Sequence, residues 1–286
     1  RIINRWSGAF VRYNLADLHT HSFCSDGLRT PTQAVQEAHA AGLRALSLTD
    51  HDTVEGTEEA LHAGKSLGVE IIPGSELSAH VGDREVHLLA YMIDWADKNL
   101  NESLNRVQDV RYKRGIAIVE QLTKMGISIT IDEILKQANG SPLGRPHIAS
   151  VLINKGVVAN KDEAFLRFLG DRAPAFQSKP NIPAGDVIDV VHQSGGIVVL
   201  AHPGQTLSDS VLSHLVSAGL DGIEIYHPSH QPPQIDFYTK LANQNKLVMS
   251  GGSDSHGNEQ GTKIGDFGII YEAIDAMRTR AERYAR

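Results

Sequence analysis

The sequence predicts an α/β protein in which βα units build a parallel sheet or barrel, interrupted by a helical insertion. Three observations predict it. From Leu15 onward, short apolar runs rich in Val, Ile and Leu alternate with longer stretches of helical period. That alternation stops between Ala96 and Lys179, where only helical patterns occur. Nearly every expected strand also ends in a residue able to bind a metal, and in βα architectures the C-terminal strand ends converge on one face.

The expected strands, in order, are Leu15 to His19, Ala45 to Leu48, Glu70 to Pro73, Glu85 to Tyr91, Gly196 to Ala201, Gly222 to Tyr226 and Leu247 to Ser250. Helices are expected at Pro31 to Ala41, Glu55 to Leu67, Ile182 to Ser194, Ser210 to Ala218 and Pro233 to Gln244. Thr30 followed by Pro31 is a favourable cap and first-turn pair. Gly42, Gly68, Gly195 and Gly219 stand where helices should stop. Within the interruption, Arg106 to Met125 and Ile131 to Ala138 read as helices. Residues 1–95 and 180–286 are therefore expected to form one α/β domain, and 96–179 a helical insertion or cap.

Charge separates the two parts. The chain carries 27 Lys and Arg against 34 Asp and Glu, a net charge of −7, which excludes a generic nucleic-acid or anionic-membrane binder. The insertion runs the other way, with 13 basic and 9 acidic residues. A single cysteine, Cys24, excludes an intrachain disulfide framework and a thiolate zinc site, and fits a reducing compartment. No run approaches the roughly 20 apolar residues of a membrane span. The opening from Arg1 to Tyr13, broken by Arg5 and Arg12, lacks the apolar stretch of a secretory signal. The expectation is a soluble, cytoplasmic protein without a membrane partner.

Fourteen histidines exceed what packing needs, and their positions are informative. Strand ends read Asp17-Leu18-His19-Thr20-His21, Leu48-Thr49-Asp50-His51, Pro73-Gly74-Ser75-Glu76, Leu200-Ala201-His202-Pro203 and Gly252-Ser253-Asp254-Ser255-His256, and His87 lies inside the fourth strand. His19 and His21 are two apart, so in extended backbone both rings point the same way. Asp26 follows in the next loop. Imidazole with carboxylate suits manganese, iron or zinc, and the absence of thiolate partners argues against a closed structural zinc site. The candidate ligands are His19, His21, Asp26, His51, Glu76, His87, His202, Asp254 and His256, more than one ion uses, so two or three divalent ions are expected. Asp17 and Asp50 are expected to orient neighbouring imidazoles. His39, His62, His192 and His214 fall on helices and read as surface residues, His80, His227 and His230 are left open, and Cys24 reads as a loop filler.

At these residues the sequence resembles the PHP family, the polymerase and histidinol phosphatase type of metal-dependent phosphoesterase. The resemblance rests on Asp17 to Ser22 with Ser25-Asp26-Gly27, Leu48 to Thr53, Ile72 to Glu76, Val199 to Pro203, and Gly252 to Gly257, in family order over about Leu15 to Gly268. It implies a distorted (β/α)7 barrel of TIM-like type holding two or three ions, with manganese first and iron or zinc as alternatives. By resemblance one ion takes His19, His21, Glu76 and Asp254. A second shares Glu76 and takes His87 and His202, and a third takes Asp26, His51 and His256. The chain is most similar to the stand-alone branch with a helical insertion and a Gly-Arg-Pro-His motif, here Gly144 to His147. That branch acts on nucleotides such as 3′,5′-nucleoside bisphosphates, and some members trim RNA from its 5′ end.

Clustered divalent ions lower the pKa of bound water and clamp the oxygens of an in-line phosphoryl displacement, so hydrolysis of a phosphate monoester is expected. His202, His256 and Asp254 are the catalytic candidates, with either imidazole or a third ion assisting the leaving group. Arg145 offers a planar fork for a substrate phosphate, with His147 as its companion and Lys179 as a further candidate. The run Arg111 to Arg114 reads as solvated helix charge. The expected partner is a small phosphorylated nucleotide, with short RNA next and no obligate protein partner. Alternatives are a 5′ to 3′ exoribonuclease, a histidinol-phosphate-type phosphatase, and a non-catalytic nucleotide-binding module.

Overall fold

The structure is a computed structural model that describes residues 14–178, 181–204, 207–258 and 260–285. The strands are β1 (Leu15–Thr20), β2 (Ala45–Leu48), β3 (Glu70–Ile71), β4 (Gly74–Val81), β5 (Arg84–Tyr91), β6 (Ile197–Leu200), β7 (Gly222–Tyr226), β8 (Val248–Gly251) and β9 (Ile269–Ile270). They form two sheets, ordered β3-β2-β1-β9 and β4-β5-β6-β7-β8. Two seams join these sheets through isolated parallel bridges, Thr20 to Ser255 and His51 to Glu76. Among the described residues the ladders do not close into one hydrogen-bonded barrel. The first bridge joins residues flanked by expected ligands and the second joins two expected ligands, so the seams converge where the polar side chains gather.

Sequence expectation and structure differ most around Glu76. The expected strand Glu70 to Pro73 is cut to β3, and the chain restarts at Gly74 as β4, which pairs antiparallel with β5 from Gly74 opposite Tyr91 to Val81 opposite Arg84. The cause is a two-residue turn in which Gly82 takes φ +59, a left-handed conformation that glycine adopts without steric cost. β5 also runs antiparallel to β6. Glu76 therefore sits near the start of a hairpin strand and not at the end of a parallel one.

The helices of the larger unit are α1 (Pro31–Ala40), α2 (Thr57–Leu67) and, after the insertion, α7 to α10 below. Thr30 caps α1 by accepting from the Gln33 amide, and Gln33 closes the box on the Thr30 amide. All four expected helix stops carry a left-handed glycine, at φ +74, +72, +80 and +105 for Gly42, Gly68, Gly195 and Gly219. The insertion holds α3 (Lys98–Lys124), α4 (Ile131–Ala138), α5 (Arg145–Asn154) and α6 (Lys161–Ala164), followed by a π-helical turn at Phe165–Leu169. Then come α7 (Ala184–Gln193), α8 (Asp209–Ser217), α9 (Pro232–Asn245) and α10 (Ala273–Ala281). α5, α6, α10 and β9 are additions to the sequence expectation, and α3 starts eight residues before the expected Arg106.

The chain divides into a larger unit, which includes the described residues up to Ser103 and from Asn181 onward, and a smaller one beginning at Leu104. Each has its own core. In the larger unit Leu18, Leu89, Tyr91, Ile197 and Val199 pack together, and Val35 of α1 and Ala60 of α2 join Leu46, Leu48 and Ile71 in a second cluster. In the smaller unit Ile118, Leu122, Ile134, Ile148, Leu152 and Leu169 are almost fully buried. No described helix is long and apolar enough to cross a membrane.

Candidate metal centre

β1 brings the first ligands. All six of its residues are buried, and alternation sends Asp17, His19 and then His21 to one side. His19 and His21 are wholly buried. β4 delivers Glu76, whose side chain is only 1% exposed, into their midst. Its Oε2 lies 3.3 Å from His19 Nε2, 3.4 Å from His21 Nε2 and 3.2 Å from His51 Nδ1, while Oε1 lies 2.8 Å from both His87 Nδ1 and His202 Nε2. One carboxylate thus meets five imidazoles, each from a different position in the sequence.

Asp254, after β8, is the second focus. Its Oδ1 lies 3.0 Å from His21 Nε2 and 3.4 Å from His19 Nε2. Asp26 is the third, 3.2 Å from His256 Nε2 and 4.0 Å from His21 Nδ1. All nine sequence-predicted ligands therefore meet in the larger unit. Their donor atoms fall into overlapping groups able to hold an ion: His21, Asp26, His51 and His256; His19, His21 and Glu76; and His51, Glu76 and His87. A further group, His19, His227 and Asp254, contains a residue that the sequence reading left open.

The backbone is bent to serve this arrangement. His202 and Asp254 take φ values of +24° and +51°, which are uncommon outside glycine and concentrate at functional sites. Gly252 lies against β1 so closely that a Cβ there would stand 2.3 Å from the His19 amide nitrogen. Asp17 and Asp50 act on backbone and loop, contrary to the expectation that they orient imidazoles. Asp17 accepts from the Ser253 and Gly265 amides, each at 2.9 Å. Asp50 accepts from the Ser22 amide at 2.7 Å and from the Ser22 and Ser25 hydroxyls, each at 2.6 Å, tying down the loop that carries Asp26. Their carboxylate oxygens are taken up by these amides and hydroxyls, so they fix segments instead of rings.

The electrostatics divide the imidazoles. Burial disfavours charge on His19, yet Glu224, Asp254 and Glu76 outweigh it and raise its pKa well above the ordinary value. Burial likewise opposes charge on His256, but Asp26, reinforced by Asp254, lifts it to about 9. His51 goes down to about 4, because burial, with His21 and His87 nearby, outweighs Glu76 and Asp26. Burial alone would raise the carboxyls of Glu76, Asp26 and Asp254, and the surrounding imidazoles instead hold all three well below the carboxylate range. Cys24 is buried in this neighbourhood, and burial with Asp50 pushes its thiol up to about 11, the opposite of nucleophilic activation.

These residues fit divalent cations. Both ring nitrogens of His21 and Nδ1 of His51 are buried without a well-directed hydrogen bond, although carboxylate oxygens of Asp254 and Glu76 lie 3.0 Å from His21 Nε2 and 3.2 Å from His51 Nδ1. An unsatisfied buried polar atom costs about 1–3 kcal/mol, a cost that ligation removes. The His21 ring stacks 4.2 Å from that of His256 and tilts 4.8 Å from that of His51. Nitrogen donors packed this tightly, with carboxylates and no thiolate, are ligation for manganese, iron or zinc.

Sequence reading missed Glu224 on β7, which is fully buried, with Oε1 2.9 Å from His19 Nδ1 and Oε2 accepting from the His202 amide at 2.7 Å. Its signal was present: one carboxylate between Ile223 and Ile225 in an otherwise apolar strand. His227 follows the same strand and lies 3.3 Å from Asp254 Oδ2. His39, His62 and His214 are exposed as expected, whereas half-buried His192 binds Asp221 at 2.8 Å. His80 is buried in β4, and His230 uses both ring nitrogens on backbone, at Ile225 O and the Gly204 amide.

The expected substrate residues belong to the smaller unit. Arg145 Nη1 donates to Leu169 O at 3.1 Å and to Asp171 Oδ1 at 3.0 Å, with its guanidinium over the Phe165 and Phe176 rings. His147 is buried and caps α5, its Nδ1 accepting from the Gly144 amide at 3.1 Å. Arg114 Nε donates to Gln177 O, so it is not purely solvated charge. Lys179 lies outside the described residues.

The PHP domain model matches residues 17–156. A 5′-3′ exoribonuclease of Haemophilus influenzae is 33% identical over 246 residues, covering 84% of this chain and 89% of that protein. A phosphoribosyl 1,2-cyclic phosphate 1,2-diphosphodiesterase of Eggerthella lenta is 31% identical, covering 85% and 94%. A 3′,5′-nucleoside bisphosphate phosphatase of Chromobacterium violaceum is 31% identical, covering 86% and 88%. Among solved structures, one described as a metal-dependent phosphoesterase of Bifidobacterium adolescentis superposes with a TM-score of 0.86 at 31% identity, covering 93% of this chain and 96% of that one. With likeness of that extent, in sequence and in fold alike, the chain belongs to the PHP family and is a metal-dependent phosphoesterase.

Proposed function

We propose that this protein hydrolyses a phosphate monoester of a nucleotide, with a 3′,5′-nucleoside bisphosphate as the first substrate. The observation that carries the reading is the convergence of five imidazoles on the two oxygens of Glu76, beside Asp254 and Asp26. His19, His21, Glu76 and Asp254 would hold one ion, Glu76, His87 and His202 a second, and Asp26, His51 and His256 a third, with manganese as the first candidate and the cytoplasm as the setting. Bound divalent ions supply Lewis acidity toward phosphate oxygens and a lowered pKa for water.

The chain's own groups do the rest. Glu76 keeps its carboxylate ionised beneath the imidazoles, so the negative charge needed to gather cations is present throughout the neutral range. His256 Nδ1 donates to Asp254 O at 2.9 Å, which turns Nε2 toward Asp26. His202 has its amide fixed by Glu224 and its Nε2 on Glu76; a third ion, or whichever of His202 and His256 holds no ion, would assist the substrate's leaving oxygen. Arg145 is the proposed reader of a phosphate that is not cleaved, and His147 serves it by fixing the start of α5. Lys179 remains a proposed phosphate contact.

Relatives named as exoribonucleases support a second reading, stepwise removal of 5′ nucleotides from short RNA. One panel separates the readings: manganese-loaded protein assayed with adenosine 3′,5′-bisphosphate, adenosine 5′-monophosphate, histidinol phosphate, a ribose 1,2-cyclic phosphate and a 5′-phosphorylated oligoribonucleotide. Fastest phosphate release from the bisphosphate is expected. Mononucleotides appearing one at a time from the oligonucleotide, at a higher kcat/KM, would replace the first reading with the second.

A further inference from the structure

β7 contributes none of the nine candidate ligands, yet it places two polar side chains against the centre. Glu224 projects from the middle of the strand between Ile223 and Ile225, fully buried, and its Oε1 meets His19 Nδ1 at 2.9 Å. That contact leaves His19 Nε2 as the atom facing Glu76 and Asp254. His227, one residue beyond the strand, is also buried. Its Nδ1 accepts from the Ser229 backbone amide at 3.1 Å, and a backbone amide is an obligate donor. Nδ1 thus carries the lone pair in a neutral ring, so the proton resides on Nε2, which lies 3.3 Å from Asp254 Oδ2.

Proximity alone would make His227 a ligand, since it groups with His19 and Asp254. The hydrogen bonds argue otherwise. His19 and His256 each turn Nδ1 to an oxygen acceptor, Glu224 and Asp254 O, which frees the Nε2 lone pair for an ion, whereas Nδ1 of His227 accepts from a backbone amide, so its Nε2 keeps the proton and donates to the carboxylate. From this we infer that Glu224 and His227 are positioning residues of the metal centre, Glu224 fixing the tautomer and ring plane of His19, and His227 holding Oδ2 of Asp254 so that Oδ1 is presented to the ion. This rests on the proposed assignment of His19 and Asp254 to one ion. Partners that orient ligands in this way are worth about 10- to 100-fold in metal affinity or activity when removed.

The test compares four proteins, the wild type, Glu224→Gln, His227→Gln and His227→Asn, with manganese affinity by calorimetry, kcat and KM by phosphate release, and folding by circular dichroism. Glutamine can place an amide donor where His Nε2 stands, and asparagine is too short. Glu224→Gln and His227→Asn are expected to weaken manganese binding by about 10- to 100-fold and to lower kcat more than they raise KM, with His227→Gln restoring most of the loss. Equal impairment of the two His227 variants, or unchanged affinity in Glu224→Gln and His227→Asn, overturns the inference. An independent readout needs no metal. Nitrogen-15 spectra of the metal-free protein, with His227 assigned by the signal lost in His227→Gln, are expected to show protonated Nε2 and unprotonated Nδ1, and the reverse tautomer contradicts the proposal. Failure of the wild type to bind manganese would instead sink the ligand assignment on which it rests, whatever the tautomer.

Discussion

Glu76 offsets at one point the crowding of five imidazoles that would otherwise be buried side by side, and the proton inventory of the site follows from that balance. His256, lifted to about 9, and His19, raised well above its ordinary value, carry protons in the metal-free protein at neutral pH. A ligating nitrogen cannot keep its proton, so metal uptake must release them. Calorimetric titration with manganese in buffers of different ionisation enthalpy is expected to show net proton release near pH 7, with affinity climbing as pH rises toward about 9. Uptake without proton release would contradict this charge assignment. The sign for stability is opposite. Because the folded pKa of His256 lies above the unfolded value, its ion pair with Asp26 stabilises the metal-free fold fully below about 6.5 and is lost as pH rises through about 9. At this scale the sequence was legible wherever a polar residue sat in a motif at a strand end. Glu224 and His227 escaped because a lone carboxylate within a strand, and a histidine after it, have no spacing signature, and only the β7 to β1 juxtaposition reveals their partners.

The elements follow the same logic. β8 can approach β1 at His19 only because Gly252 lacks a side chain, since the clash of a Cβ would be with backbone that cannot rotate away. Gly252→Ala is expected to cost about 1–3 kcal/mol of stability by overpacking and to lower kcat by displacing His19. Urea unfolding with a parallel activity assay checks both, and a variant with wild-type stability and rate would refute the close-approach argument. Strong apolar periodicity made β1, β2, β5, β6, β7 and β8 readable to within a residue or two. The β4–β5 hairpin was not, because Pro73-Gly74 resembles a strand end and the Gly82-Asp83 turn is visible only once alternation is followed on both sides of it. β9, two residues long, and α5, whose start is capped by His147 and not by a standard residue, offered too little local signal. The two sheets, bridged singly at their seams, likewise depend on long-range pairing that no local pattern encodes.

For the whole molecule, the acidic larger unit carries the candidate metal ligands, and the smaller unit carries Arg145 on a platform of Phe165, Phe176 and Asp171. If Arg145 reads a second phosphate, Arg145→Ala should lower kcat/KM for adenosine 3′,5′-bisphosphate by about 10-fold or more, the scale of a lost charge-assisted bidentate contact, while cleavage of an aryl phosphate changes little. Equal losses on both substrates would remove Arg145 from recognition and leave it a structural residue. The most direct test of the central claim, that the cluster around Glu76 is the hydrolytic metal centre, is to count ions and activity together. Elemental analysis and phosphate release from adenosine 3′,5′-bisphosphate should be measured on wild type, chelator-stripped wild type and Glu76→Gln. Two or three manganese ions per chain with phosphate release in the wild type, both lost on stripping and restored by manganese, and both lost in a folded Glu76→Gln, are the predicted results. Full phosphate release from the stripped protein, or from Glu76→Gln with its metal content unchanged, would contradict the account.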